Sequence, residues 1–323
     1  MLGMRCQKRM ATVITIGESM ALMIAEQSGP LEFVTSFTRK VAGAESNVAI
    51  GLSRLGHQTG WISSIGDDPF GIYVRNTIRG EGVDTSLVTA SPNYRTGLML
   101  KEQSDIGDPK IYYYRENSAA SHMNPSALVD SYFDHAQILH ITGIFPMLST
   151  ECRETTFAAM AIAKEKGLLI SFDPNIRKQL WKGEESRRML LEIAQKADII
   201  LPGVQEAELL AGSLEWKDIS TYFHETGVRF VVMKNGADGA YYSMKNADGV
   251  DGYEKGFKVK RVVDTVGAGD GFAVGVLSGI LEGLPLKESV RRGNGIGSLA
   301  VLVKGDSEGY PTRKQLDEYL STQ

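Results

Sequence analysis

The stretch VVDTVGAGDGFAVGVLSGILEG, residues 262–283, sets a strand end, a turn of residues with almost no side chain, and a long apolar helix in immediate succession. Gly267, Ala268 and Gly269 leave room for successive backbone N–H groups to converge at the start of that helix, where the helix dipole also favours negative charge. A phosphoryl group fits such a turn. Asp270 follows at once, and a carboxylate there opposes an anion unless it is needed to accept a proton from an incoming hydroxyl. The plainer reading is that Asp270 caps the helix, a position Asp favours. Taken alone, the stretch leaves both readings open. It has neither the G-x-G-x-x-G spacing of a dinucleotide fingerprint nor the G-K-[ST] ending of a P-loop.

Upstream of this segment, from Lys40 onward, short β-branched runs alternate with segments of helical period, which predicts β-α repetition around a largely parallel sheet. The core strands are expected at Val13 to Ile16, Trp61 to Ile65, Ile138 to Ile141, Leu168 to Phe172, Ile199 to Leu201 and Phe230 to Met233. Each is short and apolar, as strands covered on both faces are. Between Thr96 and Arg115 the order is strand, polar loop, strand (TGLMLKEQ, SDIGDP, KIYYYR), which reads as an antiparallel excursion. Residues 19–40 are similarly strand-like, so the two segments are expected to pair into a small sheet above the main one. We read residues 11–323 as one domain with a lid from about 18–40 and 94–117, and residues 1–10 as a disordered lead-in. No repeat of solenoid period interrupts the chain.

Composition narrows the function classes. The 323 residues are 42% apolar and 23% charged with 35 glycines, which suits a packed core. The formal net charge is −4 and no lysine and arginine stripe is visible, so no nucleic-acid partner is expected. No stretch approaches the ~20 apolar residues that span a bilayer, so no membrane partner is expected either. Cys6 and Cys152 form neither a multi-bridge framework nor a metal motif, which points to a reducing, cytoplasmic location. An open lid edge strand suggests a homodimer or higher oligomer through the lid.

The full string DTVGAGD resembles the C-terminal signature of the ribokinase-like (PfkB) sugar kinases. So do VAGAESNVAIGLSRLG (residues 41–56), IGDDPFG (65–71), SFDPNIR (171–177), KNGADGA (234–240) and KGDSEGYP (304–311), and the resemblance covers residues 10–320. It implies an α/β fold: a three-layer α/β/α core with a mostly parallel central sheet plus a small β-sheet lid. It further implies a sugar bound between lid and sheet, ATP along the C-terminal edge, and Mg²⁺. Asp270 would be the base beside the glycine nest of Gly267, Ala268 and Gly269, with the ordinary pKa of an aspartate sufficing. Gly43, Ala44 and Asn47 would face the sugar. Lys234, Gly236 and Gly239 would lie near the nucleotide phosphates, and Asn294 and Val301 near the adenine. Glu206 would be an outer-shell partner of Mg²⁺, although Gly203 stands where many members carry the asparagine of N-x-x-E. Asp306 would help fix the sugar site or a monovalent cation. Each of these has a plainer reading: a solvated lysine for Lys234, core packing for Val301, a helix-start glutamate for Glu206, a turn aspartate for Asp306.

Within the family, YYRENSAAS (113–121), DPNIRKQLW (173–181) and GDSEG (305–309) look most like the kinases of 2-keto-3-deoxygluconate, a sugar acid. Physical logic agrees, because a guanidinium holds a carboxylate bidentately and Arg115 and Arg177 are both available. Tyr113 has a hydroxyl to offer the sugar. Met99 stands where relatives have a lid tyrosine and offers no hydrogen bond. The alternatives are a kinase of the same fold acting on 5-keto-2-deoxygluconate, fructose or a nucleoside, and a non-catalytic sugar-binding protein. A nicotinamide-linked dehydrogenase would require G-x-G-x-x-G after the first strand, where this chain has GESMAL.

Overall fold

The computed structural model describes residues 11–103, 110–246 and 250–323. The lead-in at 1–10 and the polar loop at 104–109 lie outside the described residues. Among the described residues, nine strands form the main sheet: β1 (Val13–Ile16), β4 (Thr59–Gly66), β5 (Val88–Ser91), β8 (Ile138–Thr142), β9 (Leu169–Asp173), β10 (Ile199–Ile200), β11 (Phe230–Lys234), β12 (Gly239–Met244) and β13 (Asp251–Lys255). Their order is β13-β12-β11-β10-β9-β8-β1-β4-β5. All neighbours are parallel except β11 with β12 and β12 with β13.

Period-two alternation divides the side chains of this sheet between two cores. Val13, Ile138, Ile199 and Phe230 point to one face, and the next residues, Ile14, Leu139, Ile200 and Val231, point to the other. Both sets are apolar because helices cover both faces. The first face is covered by α1 (Ala44–Arg54), α7 (Ala268–Leu281), α8 (Leu286–Ala300) and α9 (Arg313–Ser321). The second is covered by α3 (Thr150–Glu165), α4 (Glu184–Ala194), α5 (Val204–Ala211) and α6 (Trp216–Thr226). Helix α2 (Pro69–Gly80) closes a smaller core against Trp61 and Ile65. It starts at Asp68, whose carboxylate accepts the Gly71 N–H at 2.8 Å, with proline in the first turn. This is the three-layer α/β/α arrangement expected.

The antiparallel hairpin of β12 and β13 was not foreseen, and neither was β5. In β13, DGYEK, exposed and half-buried residues alternate and none is fully buried, so it lacks the apolar run that marks the other strands.

A second sheet has the order β3-β2-β6-β7, from β2 (Met20–Ser28), β3 (Phe37–Ala42), β6 (Leu98–Gln103) and β7 (Ile111–Tyr114). Met20, Leu22, Ile24, Ala42 and Met99 are buried on one of its faces, with Ile111 and Tyr113 packed against them. In the main sheet the chain runs from β1 to β4 on one side and from β8 outward on the other, so the strand order reverses at β1. Ligands of open α/β sheets sit at the carboxyl ends beside such a reversal. The carboxyl ends of β1, β9 and β11 lead to Glu18, Asp173 and Lys234, which meet in one cavity. Among the described residues no helix is long and apolar enough to cross a membrane.

Candidate active site

Two cavities, of about 300 and 350 Å³, meet at Lys234, Thr265 and Gly269, which line both. The first is rich in charge: Glu18, Glu45, Asp173, Glu206, Asp270 and Asp306 face Arg115, Arg177 and Lys234 across it. The second is walled largely by apolar groups, among them Ala237, Phe257, Val259, Phe272 and Val301. A flat aromatic base suits the second chamber, and a polyhydroxylated molecule the first.

The wall between them is the turn from residues 262–283. Gly267 adopts φ 77°, and a side chain there would run into the Asp306 carbonyl oxygen, 1.9 Å from the position of a Cβ. Only glycine fits both demands. Helix α7 starts at Ala268, and the Gly271 N–H is the first to find an acceptor in this turn at short range, the Gly267 carbonyl at 2.8 Å. The Gly269 and Asp270 amides have no partner among the described residues, as the first turn of a helix dictates.

Asp270 does not cap this helix. Gly267 stands at the cap position. The Asp270 carboxylate instead accepts from the Asn47 side-chain amide at 2.8 Å and the Asn175 amide at 3.3 Å. Burial pushes its pKa up to about 6, while the Asn47 hydrogen bond works the other way. The base role needs no shift, and this one, which the sequence did not signal, still leaves the carboxyl mostly ionised at neutral pH. Asn47 itself corrects the expectation that it faces the sugar. It is 1% exposed and lies behind the cavity wall, where its amide serves Asp270 and, at 3.4 Å, Asp306. Gly43 and Ala44 do line the first chamber.

Arg115 is not free, contrary to the expectation of an available guanidinium. Its Nε donates to Glu18 Oε2 at 2.7 Å, and that carboxylate is 1% exposed. Arg177 stands at the exposed rim of the first chamber with no acceptor among the described residues. Tyr113 and Met99 face each other across β6 and β7, and both line the chamber. Lys234 is no solvated lysine: its ammonium donates to Asp173 at 2.6 Å. Burial works against that charge, but Asp173 and Glu206 hold its pKa above the ordinary value. Glu206 caps α5, accepting the Gly203 N–H at 2.8 Å, and also takes the Ile176 N–H at 2.7 Å. Gly236, Gly239, Asn294 and Val301 all line the second chamber. Asn294 is held there by the carbonyls of Glu254 and Lys255 at 3.1 and 3.2 Å. Val301 is half-buried, its carbonyl accepting the Val263 N–H at 2.7 Å.

Sequence reasoning missed Glu18, Glu45, Asp173 and Asn175. The sign at Asn175 was its place in D-P-N, because it adopts φ 39°, which Asn tolerates better than most residues. Glu45 is 1% exposed and accepts the Thr142 hydroxyl at 2.6 Å, occupying space that Gly17 leaves by having no side chain. Burial pushes its pKa from 4.5 up to about 7. Between those values the folded chain keeps a proton that the unfolded chain has released. The stability this group contributes is complete below about pH 4.5 and is lost as the pH rises through about 7. That loss is on the order of 3 kcal/mol. Glu45→Gln keeps an oxygen for Thr142 and removes the charge, so it should melt roughly 5 °C above the wild type at pH 8 and close to it at pH 4.5. Thermal melts at both pH values check this; an equal offset at both would rule it out.

The chain belongs to the PfkB family of carbohydrate kinases: the family model described as pfkB family carbohydrate kinase matches residues 10–313. It is an ATP-dependent sugar kinase. Among curated proteins it is similar to the 2-dehydro-3-deoxygluconokinase of Bacillus subtilis (strain 168), 45% identical over 312 residues that cover 96% of this chain and 95% of the relative. Among solved structures it is similar to a PfkB protein from Polaromonas sp. JS666, with a TM-score of 0.87 and 39% identity over 95% of this chain and 99% of the other. A putative ribokinase II from E. coli, solved in complex with ATP and Mg²⁺, has a TM-score of 0.90 at 26% identity, covering 97% of this chain and 100% of the other.

Proposed function

We propose that the chain transfers the γ-phosphoryl group of ATP to the terminal hydroxyl of 2-keto-3-deoxygluconate, giving the 6-phosphate. The observation that carries this is the meeting of two chambers at Gly269, with Asp270 opening into the one that also holds Arg177. The sugar acid lies in the charged chamber and the adenine in the apolar one, and the small sheet acts as the lid. Asp270 accepts the proton of the terminal hydroxyl as its oxygen bonds to the γ-phosphorus. The bond from that phosphorus to the β–γ bridging oxygen breaks, and ADP leaves. The amides of Ala268, Gly269 and Asp270 hold the charge on the moving phosphoryl group. Lys234, on the border of both chambers, orients Asp173 and offsets phosphate charge.

Mg²⁺ bound with the nucleotide would supply neutralisation of phosphate charge. Among the described residues no group of three or more acidic, His or Cys side chains forms a metal cage. Asp173 and Glu206, which both line the charged chamber, would help hold the ion there. Cys152, buried and unpaired among the described residues, and the use of ATP fit a reducing cytoplasm.

A coupled assay of ADP release across a panel of sugar acids and neutral ketoses tests the substrate. Turnover per KM on 2-keto-3-deoxygluconate should exceed that on fructose by roughly 100-fold, the worth of a charge-assisted pair. A neutral ketose used equally well would overturn the sugar-acid reading.

A further inference from the structure

One ion pair joins the small sheet to the glycine turn from within. Lys101 on β6 is 3% exposed, and its ammonium donates to both oxygens of Asp264 at 2.7 and 2.6 Å. Asp264 opens the DTVGAGD string. Its carboxylate also accepts the Val266 N–H at 3.2 Å and the Gly305 N–H at 3.3 Å. It therefore ties the turn ahead of Gly267 to the loop that carries Asp306, whose carbonyl presses on Gly267. Other contacts fasten the same elements at the surface: Lys304 donates to Gln103 at 2.8 Å, and Lys40 to the Lys304 carbonyl at 2.8 Å.

An anion this deeply placed beside a phosphate site carries two costs. Its own desolvation is unfavourable, and its field repels the phosphoryl group that the neighbouring amides attract. A cation held against it cancels most of that field and offsets the desolvation cost by direct attraction, at the cost of its own burial. We propose that Lys101 is a positioning residue that supplies this cation from the chain itself, so that the seated lid neutralises Asp264 and orders the turn at 264–267 without any free monovalent ion. The arrangement makes phosphoryl transfer conditional on the lid, because β6 carries the ammonium. It also defines what replaces Lys101 when it is removed: a small monovalent cation able to lie between the carboxylate oxygens.

The proposal rests on the reading of Gly267 to Asp270 as the phosphoryl cup. Failure of that reading shows as turnover retained in Asp270→Asn, whereas failure of this one shows only in the response to cations. The test compares wild type and Lys101→Met, whose side chain keeps the packing volume. Both are assayed as full-length enzyme with the Tris salt of ATP and saturating Mg²⁺, with KCl, NH₄Cl or tetramethylammonium chloride at equal ionic strength. Wild-type kcat should be the same in all three salts. In Lys101→Met, kcat should fall at least ~10-fold in tetramethylammonium and recover most of that loss in K⁺ or NH₄⁺, with the KM for sugar little changed. Adding Asp264→Asn should abolish the recovery, since no anion is then left to neutralise. Activation of the wild type by K⁺ would overturn the proposal whether or not the variant folds. So would full turnover of Lys101→Met in tetramethylammonium, a loss that neither ion repairs, or a recovery that persists without Asp264.

Discussion

Asp270→Asn is expected to fold with a melting temperature no lower than the wild type and to lose at least ~100-fold in kcat. The substitution is nearly isosteric, and Asp270 is not the cap of α7, so no helix-terminal hydrogen bond is lost. It also removes a charge that burial disfavours. The new amide has an acceptor at hand, because the Asn47 Oδ1 is buried without a partner among the described residues and the Asn47 amide can turn to offer it. What disappears is the capacity to take a proton. The pH dependence provides a second signature. With the carboxyl pushed up to about 6, the base is protonated below that pH, so wild-type kcat/KM should fall about tenfold per unit on the acid side. In the variant that limb should vanish. A variant with wild-type turnover, or an unchanged acid limb, would remove Asp270 from the chemistry.

Arg177→Leu, assayed at pH 8.5 where Asp270 stays ionised without the arginine's charge, should raise the KM for a sugar acid by roughly 10–100-fold while leaving kcat/KM on a neutral ketose within about twofold, the difference being one charge-assisted pair. Arg177 is the cleaner probe because its guanidinium has no hydrogen-bond acceptor among the described residues, although its charge helps keep Asp270 ionised. The same change at Arg115 would strand Glu18, a carboxylate 1% exposed, and confuse binding with stability. Steady-state kinetics on both substrates decide the matter. Equal losses would mean that Arg177 supports the chamber generally and does not read a carboxylate.

These two residues were legible in the sequence for different reasons. Asp270 announced itself because three residues with almost no side chain precede it at a strand-to-helix junction. Arg177 stood out only through the likeness of its segment to related kinases. The central strands were readable because each is apolar on both faces, whereas the β12–β13 hairpin, with one face open, left no comparable trace. Glu18, Glu45 and Asp173 carried no signal as isolated acids. They become a cluster only when strand ends far apart in the chain converge. The change in Asp270's pKa was hidden for the same reason, since desolvation is a property of the assembled wall. Lys101 read simply as part of a strand, its partner being 163 residues away.

The hydrogen bond from Asn47 to Asp270 spans 223 residues, and that from Asn47 to Asp306 spans 259. A chain emerging from the ribosome therefore carries α1 and its polar groups for more than 200 residues of further synthesis before the acids they serve exist. High contact order of this kind slows folding and lengthens exposure of half-built surfaces. Activity should appear only once Asp306 has been made and has folded back onto Asn47, and nascent chains that stop before it should be inert however well their first strands have formed.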